Sequence, residues 1–340
     1  MKILLGMSGG LDSTYSLRIL QDQGYTVEGA VLVMHRYTDT EAAKKAAENA
    51  GIPIHIIDCT ELFDHEVADN FAKEYSRGRT PNPCTVCNRF VKFEMLRRFA
   101  KENGFDKIAT GHYASVKQSE GRFFITRPLD ERKDQSYMLW SLTQEQLSML
   151  VLPLAELKKE KIREEARGLG IESADRPESQ DICFLPNGGY AEFVESRVGA
   201  SREGNFVTPD GKVLGRHRGI VHYTVGQRRG LGISLGERMF VSGIDHKNNT
   251  VTLVPSGTVS DRAYVTGLNF QKLSEQSEGV EKELQVKIRY AAPPAKCKVR
   301  FLAGDRAEIY FYTPVSSVTP GQSAVFYDGE GDLVFGGVFE

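Results

Sequence analysis

Long apolar runs are missing from this sequence of 340 residues. No stretch approaches the roughly 20 consecutive apolar residues that a membrane-spanning helix needs. The opening residues, MKILLGMSGG, contain one lysine and only a short apolar run, which is too little for a secretory signal peptide. We therefore expect a cytoplasmic protein that has no membrane partner.

An excess of one charge is also absent, because 43 Lys and Arg residues stand against 45 Asp and Glu residues. Overall charge therefore gives no attraction to nucleic acid, and such a contact must come from a local patch. Residues 211–250 form such a patch, with seven Lys and Arg residues against two acidic ones. Either a solvated basic surface or contacts to nucleic-acid phosphates would explain this stretch.

The cysteines are few and odd in number, at Cys59, Cys84, Cys87, Cys183 and Cys297. This sparse set is typical of a reducing compartment, where grouped cysteines bind metal or react more often than they form structural disulfides. Cys84 and Cys87 form a C-x-x-C pair, but no second pair completes a zinc site, and a bridge between these two would close a small, strained loop. Cys59 and Cys297 are expected to fill small spaces in the core.

Short apolar runs alternate with helical patterns over the first half of the chain. Buried strands are predicted at residues 2–6, 27–34, 52–58 and 107–110, and helices at residues 13–23, 40–51 and 61–75. A hairpin with Glu120 and Gly121 in its turn is predicted after the fourth strand. This order predicts an α/β fold with a doubly wound parallel sheet that is covered on both faces. Beyond about Tyr190 the strands become short and turns frequent, which predicts an all-β remainder.

A further helix is predicted around Phe93, and Asn88 is of a residue type that caps helices. This cap would place Cys87 at the helix N-terminus, close to Arg89 and Lys92. Both the helix N-terminus and the neighbouring cations predict a lowered pKa for the Cys87 thiol.

A glycine-rich segment follows the first strand directly and opens the first helix. It consists of Gly6, Met7, Ser8, Gly9, Gly10, Leu11, Asp12 and Ser13. The glycines let backbone N–H groups approach an anion, the helix N-terminus adds partial positive charge, and the serine hydroxyls can donate to phosphate oxygens. Asp12 would repel a bare phosphate, which predicts a magnesium ion between them. A capped glycine turn is the structural alternative, but S-G-G-x-D-S at a strand-to-helix turn favours phosphate binding.

The segment is not a Walker loop, because it lacks the terminal Gly-Lys-Ser/Thr, and the dinucleotide-binding G-x-G-x-x-G is absent. It resembles the pyrophosphate loop (PP-loop) of the N-type ATP pyrophosphatases, which adenylate a carbonyl oxygen and release pyrophosphate. That group includes GMP synthetase, NAD synthetase and several tRNA-sulfurating enzymes. The resemblance implies that ATP turns a carbonyl oxygen into a leaving group, which a nucleophile then replaces.

Further motifs narrow the resemblance. They are GRTPNPCTVCNRFVKF, ATGHYA, KDQSYMLWSL, ESQDICF, HYTVGQRRGLGI and IRY. Together with the glycine-rich loop, and in this order, they resemble the tRNA-specific 2-thiouridylase family over the whole chain. The resemblance implies an ATP-dependent tRNA sulfurtransferase, in which the C2 oxygen of the wobble uridine is adenylated and then replaced by sulfur.

The resemblance also implies roles for particular residues. Cys183 matches the persulfide-carrying cysteine, and Cys87 matches the second catalytic cysteine, which frees the terminal sulfur or forms a disulfide with Cys183. ATP is expected at the glycine-rich loop, with Leu32 and Gly111 as further contacts. The target base is expected at Asn82, Pro83 and Cys84. The remaining contacts to the tRNA anticodon stem-loop are expected at His112, Lys133, Asp134, Gln135, Gln227, Arg289 and Tyr290.

Two departures from the family pattern leave questions open. Some relatives have Asp at the position of Cys84, so Cys84, Cys87 and Cys183 could instead hold a [4Fe–4S] cluster whose open iron passes a sulfide to the activated base. The same sulfurs cannot carry a persulfide and the cluster at once, and both mechanisms stay open. The second departure is MHRYTDT, where many relatives carry Asn-Trp, so contacts from His35 to Tyr37 are not assigned.

The resemblance implies a PP-loop adenylation domain at residues 1–190, a small β-rich central domain at 191–258 and a C-terminal β-barrel at 259–340. A cysteine desulfurase or a sulfur-relay protein is expected to deliver the sulfur, and a monomer is the expected state. One alternative is another PP-loop ligase or amidotransferase, in which the thiols would be idle. The other is a non-catalytic RNA-binding or iron–sulfur protein, which the intact loop disfavours.

Overall fold

The N-terminal part of the molecule is built around a parallel sheet, as predicted, and this sheet has five strands, of which the short edge strand Leu150–Val151 was not predicted. A computed structural model of the chain describes residues 1–169, 171–175, 182–185, 189–233 and 236–340. The strand order is β3-β2-β1-β4-β7, and every pairing in this sheet is parallel. The strands are β1 (Lys2–Gly6), β2 (Thr26–Val33), β3 (Ile54–Asp58), β4 (Lys107–Ala109) and β7 (Leu150–Val151).

Helices cover both faces of this sheet. They are α1 (Leu11–Asp22), α2 (Thr40–Asn49), α3 (the consecutive segments Thr60–Phe63, Asp64–Asp69 and Asn70–Ser76), α4 (Pro83–Val86, Cys87–Lys92 and Phe93–Glu102), α5 (Gln144–Met149) and α6 (Lys159–Gly168). A later helix, α7 (Tyr190–Val198), packs against the Asn70–Ser76 segment of α3. Successive residues of a strand point to opposite faces, so Leu4 enters one core while Ile3 and Leu5 enter another. All three are fully buried, which explains why β1 is an unbroken apolar run.

The strand order creates a cleft beside β1. The chain leaves β1 toward β2 and β3 on one side and returns to β4 on the other side. The loops after β1 and β4 therefore diverge at the carboxyl edge of the sheet, where open parallel sheets bind their ligands.

The start of α4 differs from the prediction. Its capping residue is Asn82, whose side chain accepts a hydrogen bond from the Cys84 N–H at 3.2 Å, and Pro83 is the first helical residue. Proline suits this position because its missing N–H needs no partner there. The predicted cap at Asn88 is wrong, since Asn88 lies within the π-helical segment Cys87–Lys92. Cys87 therefore lies inside the helix and not at its N-terminus.

The predicted hairpin is present as β5 (Ser115–Ser119) and β6 (Arg122–Thr126). Glu120 and Gly121 form its turn, both with positive φ. Arg122 donates hydrogen bonds of 2.7 and 2.8 Å to the carbonyls of Gln271 and Phe270. The hairpin thus joins the N-terminal part to the C-terminal barrel.

The remainder of the chain is β-rich, as predicted, apart from helix α7 at its start. A four-stranded sheet has the order β10-β11-β8-β9. Its strands are β8 (Gly204–Val207), β9 (Val213–His217), β10 (Phe240–Asp245) and β11 (Thr250–Val254). Arg197 of α7 forms ion pairs with Asp64 and Asp69 of α3, which hold this part against the N-terminal helices.

The C-terminal part is a closed antiparallel barrel with the order β12-β15-β14-β13-β16-β17. Its strands are β12 (Val259–Phe270), β13 (Glu281–Lys287), β14 (Ala295–Leu302), β15 (Arg306–Ser316), β16 (Ser323–Tyr327) and β17 (Leu333–Phe339). Closure occurs through pairing of β12 with β17, so the sheet has no free edge. The expectation of a doubly wound sheet, a small β-rich domain and a barrel is confirmed.

Trp140 seals the contact between the N-terminal part and the barrel. Its ring is almost fully buried, and its Nε1–H donates to Ser323 Oγ at 2.9 Å. A Cβ at Gly336 would lie 2.4 Å from the Trp140 ring, so only glycine fits at that point of β17. Gln271 adds hydrogen bonds to the carbonyls of Leu139 and Trp140.

None of the helices in the described part of the chain is long and apolar enough to cross a membrane.

Candidate active site

A cavity of about 440 Å³ lies at the carboxyl edge of the parallel sheet, beside β1 and β4. Its wall includes the predicted ATP and thiol residues Gly6, Met7, Ser8, Asp12, Ser13, Leu32, Gly111 and Cys183, the predicted tRNA residues His112 and Gln135, and Met34, His35, Asp39 and Lys92, which were not predicted for this cavity. Its volume falls within the usual range for small-molecule sites. The cavity therefore joins the phosphate loop to Cys183, although the two lie far apart in sequence.

The glycine-rich loop is held in shape by its own serines. Ser13 Oγ donates to the Gly10 carbonyl at 3.1 Å and accepts from the Ser8 N–H at 3.3 Å. Ser8 Oγ lies 3.4 Å from both Ser13 Oγ and the Gly10 nitrogen. These bonds turn the loop into the first turn of α1, so that its N–H groups and hydroxyls line an anion-sized concavity.

Two glycines of the site are required by close approach of the backbone. Gly9 has φ +71°, and a Cβ there would lie 2.4 Å from the carbonyl carbon of Ala42 in α2. A Cβ at Gly111 would lie 2.8 Å from the carbonyl carbon of Asp12. The loop is thus packed between the start of α2 and the segment after β4, which explains both glycines without invoking a ligand contact.

Asp12 points into the cavity and shares one oxygen between two donors. Its Oδ1 accepts from Tyr113 OH at 2.8 Å and from Lys159 Nζ at 2.5 Å. Both of these hydrogen bonds end on Oδ1, and neither uses Oδ2. A carboxylate oxygen beside two serine hydroxyls is the ligand chemistry that magnesium prefers, so these residues fit the ion that the sequence predicts.

One of the three grouped thiols, Cys183, lies in the wall of the cavity. Cys183 lines the cavity and is exposed, Cys84 is exposed, and Cys87 is buried with its Sγ 3.6 Å from Met34 Sδ. Cys183 influences the pKa of Cys87, and Cys84 influences the pKa of Cys183, so the three thiols are electrostatic neighbours. All five cysteines are free, and Cys59 and Cys297 are buried in the core, as expected.

The predicted lowering of the Cys87 pKa is wrong. Burial raises the pKa of Cys87 to about 12, and Lys92 offsets this only in part. Cys84 and Cys183 are open to solvent on one side, but desolvation by the protein around them still raises the pKa of each thiol, and Lys92 opposes both shifts. Arg89 does not lower the pKa of Cys87, because its guanidinium points elsewhere. Its Nη1 donates to the Ser141 carbonyl at 3.1 Å and to Asn269 of the barrel at 3.3 Å. The thiols of the free protein are therefore mostly protonated near pH 7.

The spacing of the three thiols limits which metal centre they could hold. Their sulfur atoms do not all lie within 4.8 Å of one another. Sulfurs that share one zinc ion at about 2.3 Å would lie that close. In this arrangement the three sulfurs therefore do not form a site for a single metal ion.

His112 and Gln135 lie on the cavity wall near Lys92. Burial, with a smaller contribution from Lys92, lowers the pKa of His112 well below its usual value, so its ring is neutral near pH 7. Thr110 Oγ1 lies 2.8 Å from His112 Nδ1. Gln135 Oε1 accepts from the Tyr113 N–H at 2.8 Å. His112 can therefore serve as a hydrogen-bonding group or a stacking surface, but not as a cation for phosphate.

The predicted target-base segment lies between the thiols and the barrel. Asn82 Nδ2 lies 3.5 Å from Met138 Sδ, and the Asn82 side chain lies close enough to the Tyr137 hydroxyl to lower its pKa slightly against the effect of burial. The Tyr137 ring is 6.1 Å from the ring of Tyr290, which is partly exposed. A path of aromatic and amide groups thus leads from Cys84 to the barrel surface.

The other predicted tRNA residues are spread over several surfaces. Asp134 is buried between Arg127 at 3.8 Å and Lys287 at 3.9 Å, so its carboxylate has a structural role. Lys133 borders an outer concavity with Lys158 and Lys159. Gln227 fixes a turn of the central part through hydrogen bonds to Thr224 and Arg229, and Arg289 is exposed on the barrel side. Glu178, Ser179, Gln180 and Asp181 of the motif ESQDICF lie outside the described residues.

Lys92 was predicted as a neighbour of Cys87 but not as part of the nucleotide cavity, and Lys159 was not singled out from the sequence. Lys92 lines the cavity, and it is the only Lys or Arg among the described wall residues. Lys159 is buried against Asp12. The sequence offered only the general signal of a basic residue near the start of a helix, which many surface lysines share.

The chain has three parts, which are a parallel-sheet domain with a phosphate loop, a small β-rich part and a closed barrel. Together they define an enzyme whose N-terminal domain is of the HUP class. Residues 1–187 match the family model described as tRNA methyl transferase HUP domain. Residues 191–255 match the tRNA methyl transferase PRC-barrel domain, and residues 260–339 match the aminomethyltransferase beta-barrel domain.

Full-length relatives identify the family more narrowly. The chain is 41% identical over 355 residues to the tRNA-specific 2-thiouridylase MnmA of Acetivibrio thermocellus, covering 99% of this chain and 98% of that protein. It is 40% identical to the protein of the same name from Carboxydothermus hydrogenoformans, covering 100% of this chain and 97% of that one. The chain belongs to the tRNA-specific 2-thiouridylase (MnmA) family.

Two solved structures align with part of the chain. A 4-thiouridine synthetase in complex with RNA and bound ATP aligns with a TM-score of 0.36 at 22% identity, over 58% of this chain and 50% of that one. The NMN synthetase from Francisella tularensis aligns with a TM-score of 0.36 at 15% identity, over 57% of this chain and 75% of that one.

Proposed function

We propose that this enzyme replaces the C2 oxygen of the wobble uridine of tRNA by sulfur, at the expense of ATP. The observation that carries the proposal is the single cavity that holds the phosphate loop, Lys92 and Cys183 in its wall. Adenylation and sulfur transfer need such proximity, because the activated base must meet the sulfur before water hydrolyses it. The names of the full-length relatives support tRNA as the substrate.

The first step uses the phosphate loop. The uridine O2 attacks the α-phosphorus of ATP, an O–P bond forms, and pyrophosphate leaves with the electrons of the broken bond. The residues proposed to bind ATP are Gly6, Met7, Ser8, Gly9, Gly10, Leu11, Asp12, Ser13, Leu32 and Gly111. The N–H groups at the start of α1 would hold the phosphates, and Asp12 with the serine hydroxyls would hold a magnesium ion, which when bound neutralises charge on the pyrophosphate.

The second step delivers sulfur from the side of the cavity that holds Cys183. In one version Cys183 carries a persulfide whose terminal sulfur bonds to C2, and AMP leaves with the C2–O electrons. Cys87 then attacks the Cys183 sulfur, a disulfide forms between them, the terminal sulfur stays on the base, and a thiol reductant restores both cysteines. Because burial keeps Cys87 protonated in the free protein, its deprotonation has to accompany the attack.

In the other version Cys84, Cys87 and Cys183 would hold a [4Fe–4S] cluster, which when bound would supply a sulfide to C2. The exposed Cys84 and Cys183 and their electrostatic contact with Cys87 suit both versions. A cysteine desulfurase or a sulfur-relay protein is the proposed source of sulfur.

We assign the anticodon stem-loop to the surface that begins at the target-base segment. A base in a single-stranded loop is extruded at a cost of only a few kcal/mol. Asn82, Pro83 and Cys84 would receive the base. Further contacts are proposed at His112, Lys133, Asp134, Gln135, Gln227, Arg289 and Tyr290, and among these the buried Asp134 would act by fixing its neighbours. We propose that the domain formed by residues 1–190 activates and thiolates the base. The domains formed by residues 191–258 and 259–340 would supply contacts to the tRNA.

The decisive experiment measures pyrophosphate release and 2-thiouridine formation with purified tRNA. We expect pyrophosphate release that depends on tRNA, and we expect Cys183→Ser to abolish thiolation while ATP binding persists. Pyrophosphate release without tRNA, or thiolation by the Cys183→Ser variant, would refute the assignment.

A separate experiment distinguishes the two sulfur sources. The protein is purified anaerobically, its iron and sulfide are measured, and the analysis is repeated on Cys84→Ala. Iron that disappears with Cys84 supports the cluster, whereas an iron-free and active protein supports the persulfide.

A further inference from the structure

Asp12 is held by two residues that lie far from the phosphate loop in sequence. Lys159 Nζ and the Tyr113 hydroxyl contact the same carboxylate oxygen, Oδ1, at 2.5 and 2.8 Å. Neither hydrogen bond uses Oδ2, and Asp12 lines the cavity. Both donors therefore engage one oxygen, and the other can face a ligand.

Lys159 is built into the protein interior. It is only 4% exposed, although lysine is among the residues that are rarely buried without a charged partner. It is the first residue of α6, and its backbone N–H donates to Asp130 Oδ2 at 2.9 Å. The helix start thus fixes the point from which the side chain reaches Asp12.

Tyr113 is equally fixed. Its ring is 2% exposed, and its backbone exchanges hydrogen bonds of 2.8 and 2.9 Å with Gln135. Gly111, two residues earlier, packs directly on the backbone of Asp12. Both donors to Oδ1 therefore come from rigid, buried positions.

We infer that Lys159 and Tyr113 are positioning residues that fix the Asp12 carboxylate so that Oδ2 faces the magnesium ion of bound ATP. A carboxylate with two donors on one oxygen cannot rotate freely, and metal-binding carboxylates are commonly held by such hydrogen bonds. The inference rests on the proposed function, since it requires a metal–nucleotide complex in the cavity. In this inference Lys159 and Tyr113 belong to the ATP site, but they act through Asp12 and do not contact the substrate.

The direction in which metal affinity changes when Lys159 is lost distinguishes a positioning role from simple charge repulsion. An ammonium group near a divalent cation repels it, so loss of Lys159 would strengthen metal binding if charge alone mattered. Loss of a positioning residue weakens metal binding instead, typically by roughly 10- to 100-fold.

The test uses the full chain with Mn²⁺ as the probe and a nonhydrolysable ATP analogue. Free Mn²⁺ is followed by electron paramagnetic resonance during titration of wild type, Lys159→Met, Lys159→Arg and Tyr113→Phe. Methionine keeps most of the buried volume of lysine. Lys158→Met is the matched control, because Lys158 is exposed and precedes Lys159 directly.

We expect Lys159→Met to raise the Mn²⁺ dissociation constant by roughly 10- to 100-fold, Lys159→Arg to restore part of the loss, and Lys158→Met to have no effect. Tyr113→Phe loses one hydrogen bond and should raise the constant by roughly 3- to 10-fold. It keeps the inference testable if Lys159→Met does not fold. In an Asp12→Asn background the Lys159→Met change should have little further effect, because both act through one carboxylate.

Unchanged or tighter Mn²⁺ binding in Lys159→Met, or full additivity with Asp12→Asn, would overturn the inference. Failure of the wild-type protein to bind the Mn²⁺–nucleotide complex would instead count against the proposed function itself.

Discussion

The thiol of Cys87 lies 3.6 Å from the sulfur of Met34 and faces the protein interior. Cys84, three residues earlier on the same helix, is exposed, and Cys183 is exposed at the cavity wall. The two cysteines proposed to react with each other therefore start from different environments, because Cys87 is buried and Cys183 is exposed to solvent.

Cys87 should be the slowest of the three grouped thiols to react with iodoacetamide. Burial raises its pKa to about 12, so little thiolate exists at pH 8, and its rate should keep rising as the pH is raised above 9. We expect alkylation of Cys87 to be at least about tenfold slower than that of Cys84 or Cys183. Mass spectrometry of timed digests measures this, with the buried Cys59 and Cys297 as unreactive references. Equal rates for Cys84 and Cys87 would contradict the buried placement.

Lys92→Met should slow thiolation. Lys92 lowers the pKa of all three grouped thiols and is the only Lys or Arg among the described residues of the cavity wall, so its loss leaves sulfur and phosphate anions without a nearby cation. We expect a loss of at least about tenfold in single-turnover rate, with part of it restored in Lys92→Arg. Lys101→Met is the control, because Lys101 lies on the same helix α4 but is exposed. A variant Lys92→Met with the wild-type rate would show that this charge is dispensable.

Gly9→Ala should cost more stability than Gly104→Ala, although both glycines have positive φ. The backbone strain is about 1 kcal/mol in each case, but only Gly9 would also place a Cβ 2.4 Å from the backbone of Ala42, whereas nothing lies within 4 Å of a Cβ at Gly104. We expect the difference in the free energy of unfolding to be about 2 kcal/mol or more, with weakened ATP binding for Gly9→Ala alone. Urea titration and nucleotide binding are the measurements. Similar losses in both variants would mean that the loop can move away from α2.

Asp332→Asn should reduce stability in a pH-dependent way. Burial raises the pKa of Asp332, but the hydrogen bond from Lys272 and the charges of Lys117 and Lys272 help to outweigh it, so the folded-state pKa lies below the usual value. A carboxyl group of this kind stabilises the fold above its unfolded pKa of about 4 and loses that contribution as the pH falls through the folded pKa. We expect a loss of about 2 to 4 kcal/mol at pH 7 and a shrinking difference from wild type below about pH 4.

Glu330→Gln is the matched control for Asp332→Asn. Glu330 is 79% exposed and lies 3.8 Å from the same Lys272, so its contribution should stay below about 1 kcal/mol. A difference between Asp332→Asn and wild type that did not change between pH 7 and pH 3 would rule out the ion pair as its source.

The sequence predicted the sheet well because its strands carry unmistakable patterns. Ile3, Leu4 and Leu5 are all buried, and this continuous apolar run is what a central parallel strand requires. The phosphate loop was equally readable, since its residue types and its place between β1 and α1 are local features. The nearness of Cys183 to that loop was inferred only from resemblance, because no local pattern encodes a contact between distant segments.

The start of α4 shows why local rules can mislead. Asn82 and Asn88 are both good caps by residue type, and only the proline at position 83 distinguishes the true one. The wrong choice moved Cys87 to a helix end and led to a lowered pKa, whereas burial decides the real direction. Arg89 was expected beside the thiol, but its guanidinium reaches Asn269 of the barrel, which no pattern within α4 could indicate.

The fit of Trp140 over Gly336 bears on how such chains can be inherited. A chimaera that combined the first half of this chain with the barrel of a relative carrying any side chain at position 336 would fail to assemble, even if each half were sound. We therefore expect that a side chain at position 336 can be introduced only together with a smaller residue at position 140.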